Sequence, residues 1–273
     1  MMRWPDLERV GEMIREVAAA EAIPRWRNLA SSDIVEKSGP EDVVTVADRA
    51  VEVALSARLA DLLPGSEVVG EEAVHADPAR LGLLGRNTPA WVIDPIDGTS
   101  AFAAGSPDFA VMVALVSGRE LLAGWIFQPV ADVLTWGARG EGVWQATPAG
   151  RVRLQPSPAP PSLAGLRGAI GRKRTDPARQ ARIAAAAGQF AGIEPAICAG
   201  LEYPRLAAGL IHFSLYNKSE PWDHLPGLAM AAEQGYFFAR HDGSPYEPGH
   251  NTGGLLVAPD RARWEEIRAV LIG

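Results

Sequence analysis

The chain has 273 residues, 47% apolar and 22% charged, with 26 Lys plus Arg against 33 Asp plus Glu, for a formal net charge of −7. That length can bury one large core or two smaller ones, and the acidic balance weighs against a protein that coats nucleic acid, whose binding rests on Lys and Arg. Cys198 is the only cysteine, which excludes an internal disulfide and a Cys-rich metal site. No apolar run is long enough to span a bilayer, and Asp6, Glu8, Arg9 and Glu12 break up the N-terminus, so a soluble, cytoplasmic protein is expected.

Residues 6–27 read as an amphipathic helix, with Leu7, Val10, Ile14 and Val17 at helical spacing and Pro5 where a first-turn proline is tolerated. A polar stretch, SSDIVEKSGPEDVVT, follows. A second helix is expected from about Val46 to Leu63, with Val51, Leu55, Leu59 and Leu62 on one side and Pro64-Gly65 ending it. Short β-like runs come next, at Glu67–Val69, Trp91–Ile93, Phe109–Ser117, Leu121–Phe127, Val133–Trp136 and Val143–Ala146, each bounded by turn residues as in a largely antiparallel sheet. QPSPAPPS, residues 155–162, reads as a connection. Beyond it the pattern becomes strand–helix alternation: strand 166–171, helix 176–190, strand 194–198, helix 202–209, strand 211–216, helix 222–234, strands 236–239 and 254–258, and a last helix 260–271. Two subdomains are expected, an α+β unit over 1–150 and an α/β unit over 151–273.

The segment AWVIDPIDGTS, residues 90–100, is the most informative. Pro95 biases Asp94 away from helical geometry, so the strand is expected to end in an open turn. Such a turn can aim two carboxylates, Asp94 and Asp97, and the Ile96 carbonyl at one point, the oxygen-rich set that Mg²⁺ prefers. Gly98 allows a close backbone approach, and Thr99-Ser100 could open a short helix whose N–H groups accept a phosphate oxyanion. Taken alone, the hexapeptide is equally an Asp-rich turn. Three further acidic segments also sit at element ends. Gly70-Glu71-Glu72 follows a strand. Asp48 falls in a first turn, where helix capping is the ordinary role. Trp222-Asp223 opens a helix.

Together, Val44-Thr45-x-x-Asp48, Gly70-Glu71-Glu72, Trp91-Val92-Ile93-Asp94-Pro95-Ile96-Asp97-Gly98-Thr99 and Trp222-Asp223 resemble the inositol monophosphatase family, in order and spacing, over nearly the whole chain. Lys37, eleven residues before Asp48, and Gly140-x-Gly142 agree. The resemblance implies a layered αβαβα sandwich of the sugar-phosphatase type, with most metal ligands in the first subdomain and the second completing the site. It implies a Mg²⁺-dependent, lithium-sensitive phosphatase that hydrolyses a small phosphomonoester by metal-activated water, as a homodimer. One ion is then held by Glu71, Asp94 and the Ile96 carbonyl, and a second by Asp94, Asp97 and Asp223. A weaker third uses Glu71 and waters. Asp48 and Thr99 orient the attacking water, with Glu71 beside them, and Gly98, Thr99 and Ser100 hold the phosphoryl group. Cys198 and Ala199 line the pocket.

The pattern departs from the family at one place. Inositol-specific members carry a Glu seven residues before the Asp of Trp-Asp, and here that position is Tyr216. A phenol cannot accept the paired bonds of a diol, which turns the expectation toward another small polyol, sugar or amino-alcohol phosphate. Histidinol phosphate and fructose bisphosphate are alternatives, and a catalytically silent binding homologue is the alternative of a different class. Lys218 is a candidate replacement contact. Arg172-Lys173-Arg174 reads as either a contact or, preferably, a solvated loop.

Overall fold

The computed structural model describes residues 5–39, 42–171 and 175–273, so the basic run Arg172-Lys173-Arg174 lies outside the described residues. Asp6 opens helix α1 (Leu7–Val17) by accepting the N–H groups of Glu8 and Arg9, which places Pro5 before the cap and not in the first turn. The helix expected over 6–27 is shorter than that. A π turn, Ala18–Ala22, follows α1, and Pro24, lacking an N–H, cannot continue it. The expected polar stretch instead forms a hairpin, β1 (Ile34–Gly39) against β2 (Asp42–Thr45). Helix α2 (Val46–Leu62) then buries Val51, Leu55 and Leu59.

Strand β3 (Glu67–Gly70) runs directly into α3 (Glu71–Ala76), six residues the sequence did not mark as helix. Next come β4 (Pro89–Asp97), α4 (Thr99–Ala103), β5 (Ala110–Ser117), β6 (Glu120–Gln128), β7 (Val133–Ala138), β8 (Gly142–Thr147) and β9 (Gly150–Leu154). Strands β3 to β9 form one sheet in sequence order, parallel only between β3 and β4. The remainder is β10 (Arg167–Ile170), α5 (Pro177–Ala186), β11 (Gly192–Pro195), α6 (Ala199–Ala207), β12 (Phe213–Tyr216), α7 (Pro221–Glu233), β13 (Phe237–Arg240), β14 (Leu255–Ala258) and α8 (Arg261–Leu271). Helix α6 thus starts three residues before the expected helix, and α5 ends four before. These five strands order as β11-β10-β12-β14-β13, parallel across the first three and antiparallel where β14 and β13 join.

Alternate residues of the seven-stranded sheet feed two cores, as the two-residue period of a strand requires. Trp91, Ile93, Val113 and Trp125 pack with Val10, Ile14, Leu55 and Leu59 of α1 and α2. Val92, Met112 and Ala114 face the other way, onto Tyr203 of α6 and Leu228 and Met230 of α7, and this core continues into Leu255 and Val257 of the second sheet. A third core, with Phe213, Leu256, Trp264 and Ile267, covers the outer face of the second sheet beneath α5 and α8. The layers therefore run α/β/α/β/α, as the resemblance implied. Because α6 and α7 are the shared middle layer, acids from distant parts of the chain can open on one cleft.

Candidate active site

The site is organised by an irregularity in β4. Asp94 pairs with Met112 and Asp97 with Ala110, so three steps on β4 oppose two on β5, and one extra residue is accommodated as a bulge. Pro95 sits in it, where the missing N–H breaks no ladder. The strand therefore does not end at Ile93 as expected; it runs on, bulged, to Asp97. Gly98 then adopts φ 88°, ψ 32°, and a Cβ there would come within 2.9 Å of the Asp108 carbonyl oxygen, so glycine is required before α4 can start at Thr99.

Glu71, Asp94, Asp97 and Asp223 line one cleft of about 530 Å³. Asp94 is 1% exposed, and burial, reinforced by the charges of Glu71, Asp97 and Asp223, lifts its carboxyl well above the ordinary range. Among the described residues its Oδ1 is buried without a hydrogen-bond partner. Asp97 Oδ2 accepts the Gly200 N–H at 2.5 Å, tying β4 to the first turn of α6. Asp223, in the first turn of α7 behind Pro221, is raised by burial and by Asp97. Burial pushes Glu71 up to about 7 against the pull of Lys37. The Lys37 ammonium donates to Glu71 at 2.9 Å and to Glu72 at 2.5 Å, and these two acids keep it charged against the opposing effect of burial.

Four carboxylates and the Ile96 carbonyl make an all-oxygen donor set, and the unpartnered Asp94 Oδ1 is an acceptor that a cation would satisfy. The residues therefore fit hard divalent ions such as Mg²⁺. Among the described residues no three His, Cys, Asp or Glu side chains already form a closed metal-binding group.

Asp48 has two roles. Its Oδ2 accepts the N–H and the hydroxyl of Thr45 at 2.8 and 2.6 Å, which is the capping expected of a first-turn acid. Its Oδ1 lies 3.2 Å from Thr99 Oγ1, which is also 2.9 Å from the Ile96 carbonyl oxygen. A hydroxyl carries one proton and donates to one of them at a time. Asp48 does not line the cleft; it stands behind Thr99, and burial raises its carboxyl to about 6.

Gly98, Ser100, Cys198, Ala199, Tyr216 and Lys218 all line the cleft with these groups. Burial, then Asp97, holds the Cys198 thiol well above its ordinary value and so neutral. Tyr216 presents its ring, stacked on Tyr203 at 6.0 Å, while its hydroxyl is buried. His224 is a support. A carbonyl can only accept, so Nε2–H donates to the Lys218 carbonyl at 3.1 Å and Nδ1 accepts the Tyr203 hydroxyl at 3.1 Å. Burial lowers His224 to about 4, so the ring is neutral and holds the Lys218 loop against α6.

Sequence reasoning missed two buried acids that shape the site. Glu52 of α2 accepts the N–H groups of Glu72 and Ala73. Glu202 of α6 accepts those of Ile197 and Cys198, both at 3.1 Å, and fixes the turn that presents Gly200 to Asp97. Glu202 carries a local signal, an acid four residues after a strand-to-helix turn. Glu52 carries none, because its partners are twenty residues away.

The model of the inositol monophosphatase family matches residues 6–271. A fructose-1,6-bisphosphatase/inositol-1-monophosphatase of Aquifex aeolicus is 29% identical over 81% of this chain and 81% of its own. An inositol-1-monophosphatase of Mycobacterium leprae is 33% identical over 73% of this chain and 68% of its own. Among solved structures, an IMPase/NADP phosphatase complexed with Mg²⁺ and phosphate superposes with a TM-score of 0.80 at 17% identity, over 97% of this chain and 94% of that one. Cleft, cores and sequence agree: the chain belongs to the inositol monophosphatase family and is a phosphoric monoester hydrolase.

Proposed function

We propose that this enzyme is a Mg²⁺-dependent phosphatase of a small polyol, sugar or amino-alcohol phosphate. The observation that carries the reading is Asp94, a buried carboxylate with an unsatisfied oxygen, crowded by Glu71, Asp97 and Asp223 in one cleft. Two or three ions would be held by these acids and the Ile96 carbonyl. When bound, they offset the carboxylate charge and supply Lewis-acid activation of water and of the leaving oxygen. The Mg²⁺ and phosphate named with the structural neighbour support this choice of ion.

The protein's own part starts at Thr99. Its Oγ1 takes a proton from the attacking water while passing its own to Asp48 Oδ1, and a carboxyl near 6 suits that task at neutral pH. The first N–H groups of α4, at Gly98, Thr99 and Ser100, have no acceptor within the helix and hold the phosphoryl oxygens. Cys198, Ala199, Tyr216, Lys218 and Asp223 enclose the leaving group. Tyr216 offers no carboxylate for a pair of ring hydroxyls, and its own hydroxyl is buried, which weighs against inositol phosphate. The double name of the Aquifex relative keeps fructose bisphosphate as the second reading. A homodimer, lithium inhibition and a cytoplasmic setting rest on the resemblance and the sequence alone.

The test is phosphate release with and without Mg²⁺ from a panel of inositol-1-phosphate, histidinol phosphate and fructose-1,6-bisphosphate, using wild-type protein and Asp94→Asn. Mg²⁺-dependent turnover that disappears in Asp94→Asn is expected, with kcat/KM highest for a substrate other than inositol phosphate. Near-normal turnover by Asp94→Asn overturns the assignment of the site, and a clear preference for inositol phosphate overturns the reading of Tyr216.

A further inference from the structure

Helix α3 begins at Glu71, yet its cap residue is Gly70, which has no side chain to satisfy the free N–H groups of the first turn. The acceptor comes from another helix. Glu52 in α2 is 7% exposed, and its Oε2 and Oε1 accept the N–H groups of Glu72 and Ala73 at 2.8 and 2.9 Å. A buried carboxylate is costly unless both oxygens are served, and here each receives a charge-assisted bond from backbone.

The contact also explains Gly70. Its backbone, φ −99° and ψ 156°, is open to any residue, but a Cβ would stand 2.3 to 2.7 Å from the Glu52 carboxyl atoms. The glycine makes room for the carboxylate. One turn before Glu52 on α2 is Asp48, whose Oδ1 faces Thr99. Residues four apart lie on the same side of a helix, so α2 holds the proton acceptor with one turn and the base of α3 with the next.

We propose that Glu52 is a positioning residue for the metal site: by clamping the first turn of α3 it sets the direction in which Glu71 enters the cleft, at a fixed offset from Asp48. The proposal rests on the reading of Glu71 and Asp94 as metal ligands. Glu52 touches neither substrate nor reacting atoms, and Glu71 acts through the backbone that Glu52 holds. Gln at this position keeps the size but has a single acceptor oxygen, so one N–H would face an NH₂ group.

The experiment measures Mn²⁺ binding to metal-free protein by electron paramagnetic resonance and calorimetry, alongside Tm, for wild type, Glu52→Gln, Gly70→Ala and Asp94→Asn. Gly70→Ala displaces the same carboxylate from the other side and serves if Glu52→Gln does not fold. Loss of a partner that orients a ligand lowers metal affinity by about 10- to 100-fold, and that is expected for Glu52→Gln, with a smaller loss in the same direction for Gly70→Ala. At saturating metal, KM for the substrate is expected to stay close to wild type. A lowered Tm with wild-type Mn²⁺ affinity in these variants would make Glu52 a helix cap and nothing more, and would overturn the proposal. Asp94→Asn separates the two layers of argument. If it binds Mn²⁺ normally, the metal-site reading fails. If it loses Mn²⁺ while Glu52→Gln does not, only the role of Glu52 fails.

Discussion

Asp94 and Glu202 are equally buried, each 1% exposed, and burial raises both carboxyls above their ordinary range. They differ in their partners. Glu202 accepts two backbone N–H groups, and Glu52 does the same at the start of α3, whereas Asp94 Oδ1 accepts none among the described residues. A buried acid with its bonds made is part of the scaffold. One left unmade beside three more acids is held there by the surrounding fold at the expense of stability. The same chemical group thus builds the frame in one place and the reactive centre in another.

The sharpest way to break that contrast is to neutralise each acid. Asp94→Asn is expected to reduce kcat at saturating Mg²⁺ by about 10³-fold or more, equivalent to about 4 kcal/mol, while the metal-free Tm holds or rises because a repelled charge is gone. A fallen Tm would put Asp94 with the scaffold. Thr99→Val, which removes the hydroxyl between water and Asp48, is expected to lower kcat by about 10²-fold with little change in KM; unchanged kcat in steady-state assays would remove Asp48 and Thr99 from the reaction. Glu202→Ala takes the acceptor from the buried N–H of Cys198 and the part-buried N–H of Ile197 and is expected to cost about 2 kcal/mol of stability in urea denaturation, with kcat changing far less than in Asp94→Asn.

The smallest expected effect is in pH. Burial lifts Glu71 from 4.5 to about 7 in the folded protein, so the fold binds protons more tightly than the unfolded chain. The stabilisation this provides is complete below about pH 4.5 and is lost as pH rises through about 7. Metal-free Tm is therefore expected to decline from pH 5 to pH 8, and the rise in Tm on adding Mg²⁺ to grow over the same range, because protons no longer compete for the ligands. A metal-free Tm that climbs across that window would contradict the crowding of the acids.

The parts of this molecule that could be read from sequence are those where local pattern and final structure agree. The strand into Asp94, the antiparallel strands after it, and helices α2, α7 and α8 all carry their periodicity in consecutive residues. The acids were legible because each stands at an element end. The hairpin at 34–45 was not, since Glu36 and Lys37 interrupt its alternation and the ammonium of Lys37 is paired with Glu71 and Glu72, far along the chain. Helix α3 was too short to show a period, and its cap comes from Glu52, a tertiary contact with no local trace. The continuation of β4 past Pro95 was hidden for a related reason: a proline ends most strands, and only pairing with β5 reveals that this one passes through.

That passage has a consequence of parity. Along an unbroken strand, positions three apart point to opposite faces: Ala90 and Val92 turn toward the middle layer, Trp91 and Ile93 toward α1 and α2. Asp94 and Asp97 are three apart, so a regular strand would send one of them into the apolar packing around Trp125. The single additional residue makes an odd interval behave as an even one, and both acids emerge on the same side. Were β4 to pair with β5 in regular register with both intervening residues kept, one charge would turn into the hydrophobic interior, so the irregular pairing is as constrained as the identity of the two acids.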